Sequence, residues 1–191
     1  MPSSGMPSSG MRFPDFDIFF LYRKMPCSCE KPLPEYPESD HWGPVLWTIL
    51  HALAERSGKL VSPSYRDDER RQWINLLTTL PKMIPCPMCR VHSEEWLQKH
   101  PVTEIKNLGE EFHTWIVSWV YEFHEAVNLR VGKPSFDKAL LSNTYKSVPI
   151  PSALKVLKPF IETAIILSGI TLLPWQKWVS YVKMLSSYYG I

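Results

Sequence analysis

No basic block runs through this chain, no apolar leader opens it, and cysteine is scarce. Lysine plus arginine number 21 against 19 aspartate plus glutamate, a formal charge of +2. That balance gives nucleic acid no electrostatic footprint, so none is expected as a partner. The chain starts with a repeat, Met1-Pro-Ser-Ser-Gly5 and Met6-Pro-Ser-Ser-Gly10. This has neither the basic nor the apolar region of a secretory signal, and a cytosolic start is expected. Four cysteines in 191 residues are too few for a secreted disulfide scaffold. The most apolar stretch, Phe160 to Leu173, contains Glu162 and falls short of the ~20 residues a spanning helix needs.

What remains is an aromatic-rich globular sequence of one-domain size, with eight Trp, eight Tyr and eight Phe. Residues 1–39 read as a flexible N-terminal arm. The repeat cannot bury a core, Phe13 to Tyr22 is aromatic enough to dock, and four prolines (Pro26, Pro32, Pro34, Pro37) hold the segment around Cys27 and Cys29 extended. The body, 40–137, shows helical spacing. Asp40 is a plausible N-cap for a helix carrying Trp42, Leu46, Ile49, Leu50 and Leu53 and ending at Gly58. A second helix is predicted over Asp67–Leu80, stopped by Pro81. A third runs from about Pro87 to Lys99, and the longest from about Leu108 to Val131. No run of strands appears. The expectation is an all-α fold, a four-helix bundle with a helical C-terminal extension over 138–191. Prolines 151, 159 and 174 divide that extension, and its expected role is to pack on the body. A membrane-associating hairpin over 160–189 is the alternative.

The cysteines come as two close pairs, Cys27-Ser-Cys29 and Cys86-Pro-Met-Cys89. Close pairs point to redox traffic or metal rather than to long-range staples. Cys86 falls at the predicted start of the third helix, where unsatisfied N–H groups and the helix dipole favour a thiolate. Cys89 lies one turn in, more shielded. Taken alone, the CxxC is equally a zinc half-site or a pair of idle thiols. No βαβ pattern surrounds it, which disfavours a thioredoxin fold.

It is not alone. Trp42-Gly43-Pro44-Val45-Leu46-Trp47 and Ile49-Leu50-His51 precede it, and Arg90-Val91-His92 follows. Phe123-His124-Glu125-Ala126-Val127-Asn128 and Gly132-Lys133-Pro134-Ser135-Phe136-Asp137 come later. In order and spacing these tracts resemble the Erv/ALR family of flavin-linked sulfhydryl oxidases, most of all the short forms of large cytoplasmic DNA viruses. The resemblance covers about 41–137. It implies a helical bundle binding FAD, with Gly43, Trp47, His51, His92, His124, Val127, Asn128, Lys133 and Phe136 at cofactor positions. Cys89 would be the flavin-proximal sulfur and Cys86 the one exchanging with substrates, and no metal is implied. The activity implied is oxidation of protein thiols, a thioredoxin-like carrier among the candidate clients, with oxygen as acceptor and hydrogen peroxide as product. Host cytoplasm or virion is the implied location. Cys27 and Cys29 would be a shuttle pair on the swinging arm; two exposed thiols without a role are the plain alternative. Relatives are commonly dimers, and the aliphatic surface of Leu53, Leu76 and Leu77 makes a homodimer the expectation here.

The residue spacing agrees. Gly43, Trp47 and His51 share one helix face at i,i+4 steps, as do His124 and Asn128 on another. Two such polar stripes are costly to bury without a polar ligand between them. The chain also departs from the family pattern. Glu125 replaces the first Asn of His-Asn-x-Val-Asn, no aromatic follows the first helix around Arg56-Ser57-Gly58, and Lys138 stands where many members place a structural cysteine. Two other readings compete with an oxidase. One is a zinc module using all four cysteines, which leaves the Trp and His stripes unused. The other is a structural protein that keeps the fold for assembly.

Overall fold

The computed structural model describes residues 33–59 and 61–191; most of the expected arm, with Cys27 and Cys29, lies outside them. Every regular element among the described residues is helical, as the recurrence of Leu, Ile and Trp every three or four positions dictates. Helix α1 spans Ser39–Arg56. Asp40 does not cap it: no side chain does, and Asp40 sits inside the first turn, where its charge still complements the helix dipole. Past the other end Gly58 takes a φ of +67°, a conformation that favours glycine. Its N–H donates to Oε1 of Glu69 at 2.8 Å.

Helix α2, Arg66–Met83, opens with Asp67, Asp68 and Glu69 in its first turn. It continues through Pro81, where a stop was expected. So near the helix end a proline removes a single hydrogen bond, and burial of Leu80, Pro81 and Met83 offsets it. Helix α3, Pro87–Lys99, begins on the proline that its sequence marks. Helix α4 is Phe112–Arg130. It starts later than Leu108 because Val102–Asn107 forms a 3-10 turn of its own, burying Val102 and Ile105.

The extension holds α5 (Leu141–Tyr145), α6 (Ile150–Ile166) and α7 (Leu172–Tyr188). Pro151 and Pro174 lie in first turns, but Pro159 is inside α6 and divides nothing. The apolar stretch Phe160–Leu173 is instead split by the turn between α6 and α7. No helix among the described residues is long and apolar enough to cross a membrane.

α1 packs against α4 and α6, and α2 against α3 and α7. Leu53, Leu76 and Leu77, from which self-association was expected, are buried in one cluster with Ile161, Trp178, Val182 and Leu185. Each fully buried side chain of this kind contributes roughly 1.5–3 kcal/mol. That surface is therefore consumed inside the chain, and it is not available to a second copy.

Polar groups lock the same seam. Trp73 Nε1 donates to Tyr189 Oη (2.9 Å), and Tyr189 Oη donates to Glu69 Oε1 (2.7 Å). Burial pushes the Glu69 carboxyl up; burial and the neighbouring Glu69 push the Tyr189 hydroxyl well above its usual range. The tyrosine therefore keeps its proton and remains a donor. Tyr189→Phe leaves the Trp73 N–H unpaired and removes one donor from a buried carboxyl. The unfolding free energy from urea denaturation should fall by about 1–3 kcal/mol. An unchanged midpoint would show that the relay adds nothing to stability.

Candidate active site

The link between α2 and α3 is Ile84-Pro85-Cys86, short and bounded by Pro87. Cys86 is the N-cap of α3, and its Sγ accepts the backbone N–H of Cys89 at 3.1 Å. The two cysteines are joined as a disulfide, with Cα atoms 5.2 Å apart. A helix N-terminus thus aims an unsatisfied donor at the outer sulfur, the arrangement that stabilises a thiolate once the bond opens. Cys89, one turn in, lines a cavity of about 310 Å³ between α1, α3 and α4; Cys86 does not.

Gly43 and Trp47 of α1, His92 of α3, and His124, Val127 and Asn128 of α4 line this cavity, with Lys133 beyond α4. The i,i+4 spacing on α1 and α4 turns these groups toward one another. Trp47 stacks on His124 with centroids 4.3 Å apart and planes within 10°. His51 is not in the wall: it lies behind it, 2 % exposed, and bonds through Nε2 to His124 Nδ1 at 3.0 Å. One ring must donate and the other accept, so the pair is tuned to the neutral form. Burial, and then the His124 charge, push His51 down to about 3; burial likewise lowers His124 to about 4. Phe136 also stays out of the wall. Its ring lies 6.2 Å from that of Tyr145, and its carbonyl accepts from Tyr121.

Three features of the site escape sequence reasoning. Tyr145 of α5 lines the cavity and stacks on His51 at 4.6 Å. An aromatic from the extension thus reaches His51, beside the end of α1 where the family's aromatic is missing. Arg56 holds it there by donating to the carbonyls of Tyr145 and Val148 (3.4 and 2.9 Å). Glu125, the departure from the family's Asn, faces away from the cavity and ties down the loop after α4. It accepts from Ser135, from Asn128 (2.9 Å) and from the N–H of Phe136 (3.2 Å). Burial would raise its carboxyl, but these bonds outweigh burial and hold it below the usual range. Finally, Trp42 and Arg130 join the wall. The helical stripe could have flagged Trp42; nothing in the spacing flags Tyr145.

The lining has room and unmet polarity for a flat, polar ligand. The Trp42 indole N–H is buried without a partner. A Cβ on Gly43 would meet nothing within 4 Å, so the backbone there is open to close approach. Arg130 and Lys133 bring positive charge to the edge, Lys133 resting 3.4 Å from Asp40. A wider groove of about 960 Å³ between α6 and α7 is lined by Lys155, Lys158 and Lys183 but by no Cys, His, Asp or Glu side chain, and so offers no thiol chemistry.

Comparison with known proteins adds the following. The sequence model of the Erv1 / Alr family matches residues 44–146. A FAD-linked sulfhydryl oxidase of African swine fever virus is 34% identical over 120 residues, 62% of this chain and 87% of that protein. A probable FAD-linked sulfhydryl oxidase of Acanthamoeba polyphaga mimivirus is 27% identical over 95 residues, 49% of this chain and 61% of the relative. The mitochondrial FAD-linked sulfhydryl oxidase of Schizosaccharomyces pombe is 29% identical over 104 residues, covering 54% and 53%. No solved structure matches the chain significantly.

The lowered histidines set a pH dependence. Each ring binds a proton more readily unfolded than folded, so its stabilising effect is complete above pH ~6.5 and is lost as acid carries the pH toward 4 and 3. The slope reaches at most about 1.4 kcal/mol per pH unit for each ring. Glu69, with its raised carboxyl, acts in the opposite sense. A His51→Gln/His124→Gln variant keeps Glu69 and should flatten the loss of thermal midpoint between pH 6.5 and 4 in ligand-free protein. Parallel curves for variant and wild type would contradict this.

Proposed function

This chain belongs to the Erv1 / Alr family, and from that premise we propose that it is an FAD-dependent thiol oxidase, forming disulfides in protein substrates and giving hydrogen peroxide from oxygen. The observation that carries the reading is a disulfide at a helix N-terminus whose inner sulfur, Cys89, borders the Trp47–His124 cleft. The lining fits the cofactor: Trp47 and His124 offer flat faces, Trp42 and Asn128 offer polar groups, and Arg130 and Lys133 offer charge for a diphosphate.

A client thiolate attacks Cys86 Sγ, the Cys86–Cys89 bond breaks, and its electron pair leaves on Cys89 as thiolate. A second client thiolate attacks the client sulfur of the mixed disulfide, releasing Cys86 as thiolate and the client as disulfide. The Cys89 N–H at Cys86 Sγ stabilises that leaving group. Bound FAD would supply a two-electron acceptor for the reduced Cys86–Cys89 pair, with oxygen as the final oxidant. The neutral His51–His124 pair keeps α1 and α4 in register at the cleft. Cys27 and Cys29 serve as the relay from bulky clients. Supporting this, Tyr36, a short way downstream of Cys29, is anchored by a 2.9 Å hydrogen bond to the carbonyl of Pro85.

Cys89→Ser and Cys86→Ser should each lower dithiol turnover more than about a hundredfold. Both should purify yellow, with absorbance near ~450 nm, because helices and not thiols hold the flavin. His124→Ala should lose colour and thermal stability together, since a ligand at a hundredfold over its Kd adds about 2.7 kcal/mol. Undiminished oxygen consumption by Cys89→Ser, or a wild-type protein that never holds flavin, would refute the assignment.

A further inference from the structure

The backbone leading into Cys86 is clamped from outside the bundle. Arg90, one turn beyond Cys86, turns its guanidinium back onto the link between α2 and α3. Its Nε donates to the carbonyl of Ile84 at 2.7 Å and its Nη2 to that of Pro85 at 2.9 Å. Tyr36 Oη takes the second lone pair of the Pro85 carbonyl. These acceptors sit at the carbonyl end of α2, where a cation is favoured. Pro85 and Pro87 have no N–H, so the link has few other bonds to hold it.

The clamp has a third arm. Arg90 Nη2 also donates, at 2.6 Å, to the carbonyl of Gly169, in the turn between α6 and α7. There Ser168 adopts φ +58°, the only positive φ outside glycine among the described residues. Ser168 N–H bonds to Ile165 O and Gly169 N–H to Ala164 O, both at 2.9 Å, so α6 closes in the manner of a helix C-cap with serine in the left-handed place. The glycine falls one residue later, for a different reason: a Cβ on Gly169 would overlap the Tyr36 ring. Arg90, Tyr36 and Gly169 are thus one interlocked contact beside the redox pair.

We infer that Arg90 is a positioning residue for Cys86, and that the α6–α7 turn belongs to the redox centre by holding Arg90 in place. The inference rests on Cys86 being the sulfur that meets client thiols. In the oxidised protein the disulfide itself holds Cys86. Once a client thiolate has opened it, Cys86 is held at the N-terminus of α3 by the bond from the Arg90 backbone N–H to its carbonyl, at 3.1 Å, and by the clamp on the Ile84 and Pro85 that precede it. Without the clamp the sulfur drifts from the N–H of Cys89, its thiolate is less stabilised, and it reacts more slowly at neutral pH.

The test is the alkylation rate of Cys86 against pH, with iodoacetamide, in the full chain carrying Cys27→Ser, Cys29→Ser and Cys89→Ser. It needs neither flavin turnover nor a client, so it separates this inference from the oxidase assignment, which falls if wild type holds no flavin. Arg90→Ala and Gly169→Ala should each slow Cys86 about fivefold at pH 7 and move the rate midpoint to higher pH. Arg90→Lys keeps the charge but cannot reach three carbonyls, so it should stay slow; it also stands in if Arg90→Ala fails to fold. The double variant Arg90→Ala/Gly169→Ala should be no slower than Arg90→Ala, because both act through one contact. Tyr189→Phe, which loosens the extension far from Arg90, should leave rate and midpoint unchanged. A wild-type rate in Arg90→Lys or Gly169→Ala, additive losses in the double variant, or an equal loss in Tyr189→Phe would each overturn the inference.

Discussion

Inside the seam where α7 lies along α2, an indole, a phenol and a carboxyl form a continuous hydrogen-bonded chain: Trp73 to Tyr189 to Glu69, with the Gly58 N–H closing the last acceptor. A buried polar group is costly without a partner, and Glu69 has two donors from opposite ends of the structure. Gly58 comes just after α1, Glu69 from the start of α2, and Tyr189 from the end of α7. Satisfying one carboxyl therefore fixes three elements together. The aliphatic faces of α1 and α2 follow, closed over by α6 and α7 and buried in a single cluster. A chain without the structural cysteine of many relatives gains its closure from packing and from this relay.

The same closure equips the site. With α6 and α7 seated, their connecting turn meets Arg90, and Arg90 meets the residues before Cys86. The segment before α6 brings Tyr145 against His51, steadied by Arg56. The extension thus meets both the arginine that clamps the link before Cys86 and the histidine pair behind the cleft. The 44–146 span of the family match includes Tyr145 but stops short of Gly169.

Electrostatics within the cleft are economical. One helix N-terminus supplies the donor for Cys86, and the buried His51 and half-buried His124 remain neutral because desolvation outweighs the carboxylate beside His124. Glu125, charged and bonded to Ser135, Asn128 and Phe136, holds the segment that carries Lys133 at the cleft edge. The departure from the family's amide at this position is thereby a change of partner: the side chain secures the loop and leaves the cavity wall to its neighbours.

Local rules in the sequence were enough for the helices, for Pro87 as the first residue of α3, for the N-terminal placing of Cys86, and for the shared faces of Gly43 with Trp47 and of His124 with Asn128. Each depends on residues within a turn or two of one another, where spacing and backbone chemistry dominate. At Pro81 and Pro159 the helix continues because burial of its neighbouring apolar side chains offsets one lost hydrogen bond, and local spacing does not carry that burial. The fate of Leu53, Leu76 and Leu77 depended on what covers them, and apolar periodicity does not distinguish a partner chain from a later helix of the same chain. Tyr145 on His51, Phe136 outside the wall, Glu125 turned to the loop and Gly169 under Tyr36 were decided by tertiary contacts alone. They join residues far apart in the chain, where no periodicity connects them, and only the closing of α6 and α7 over α1 and α2 determines which side chains meet.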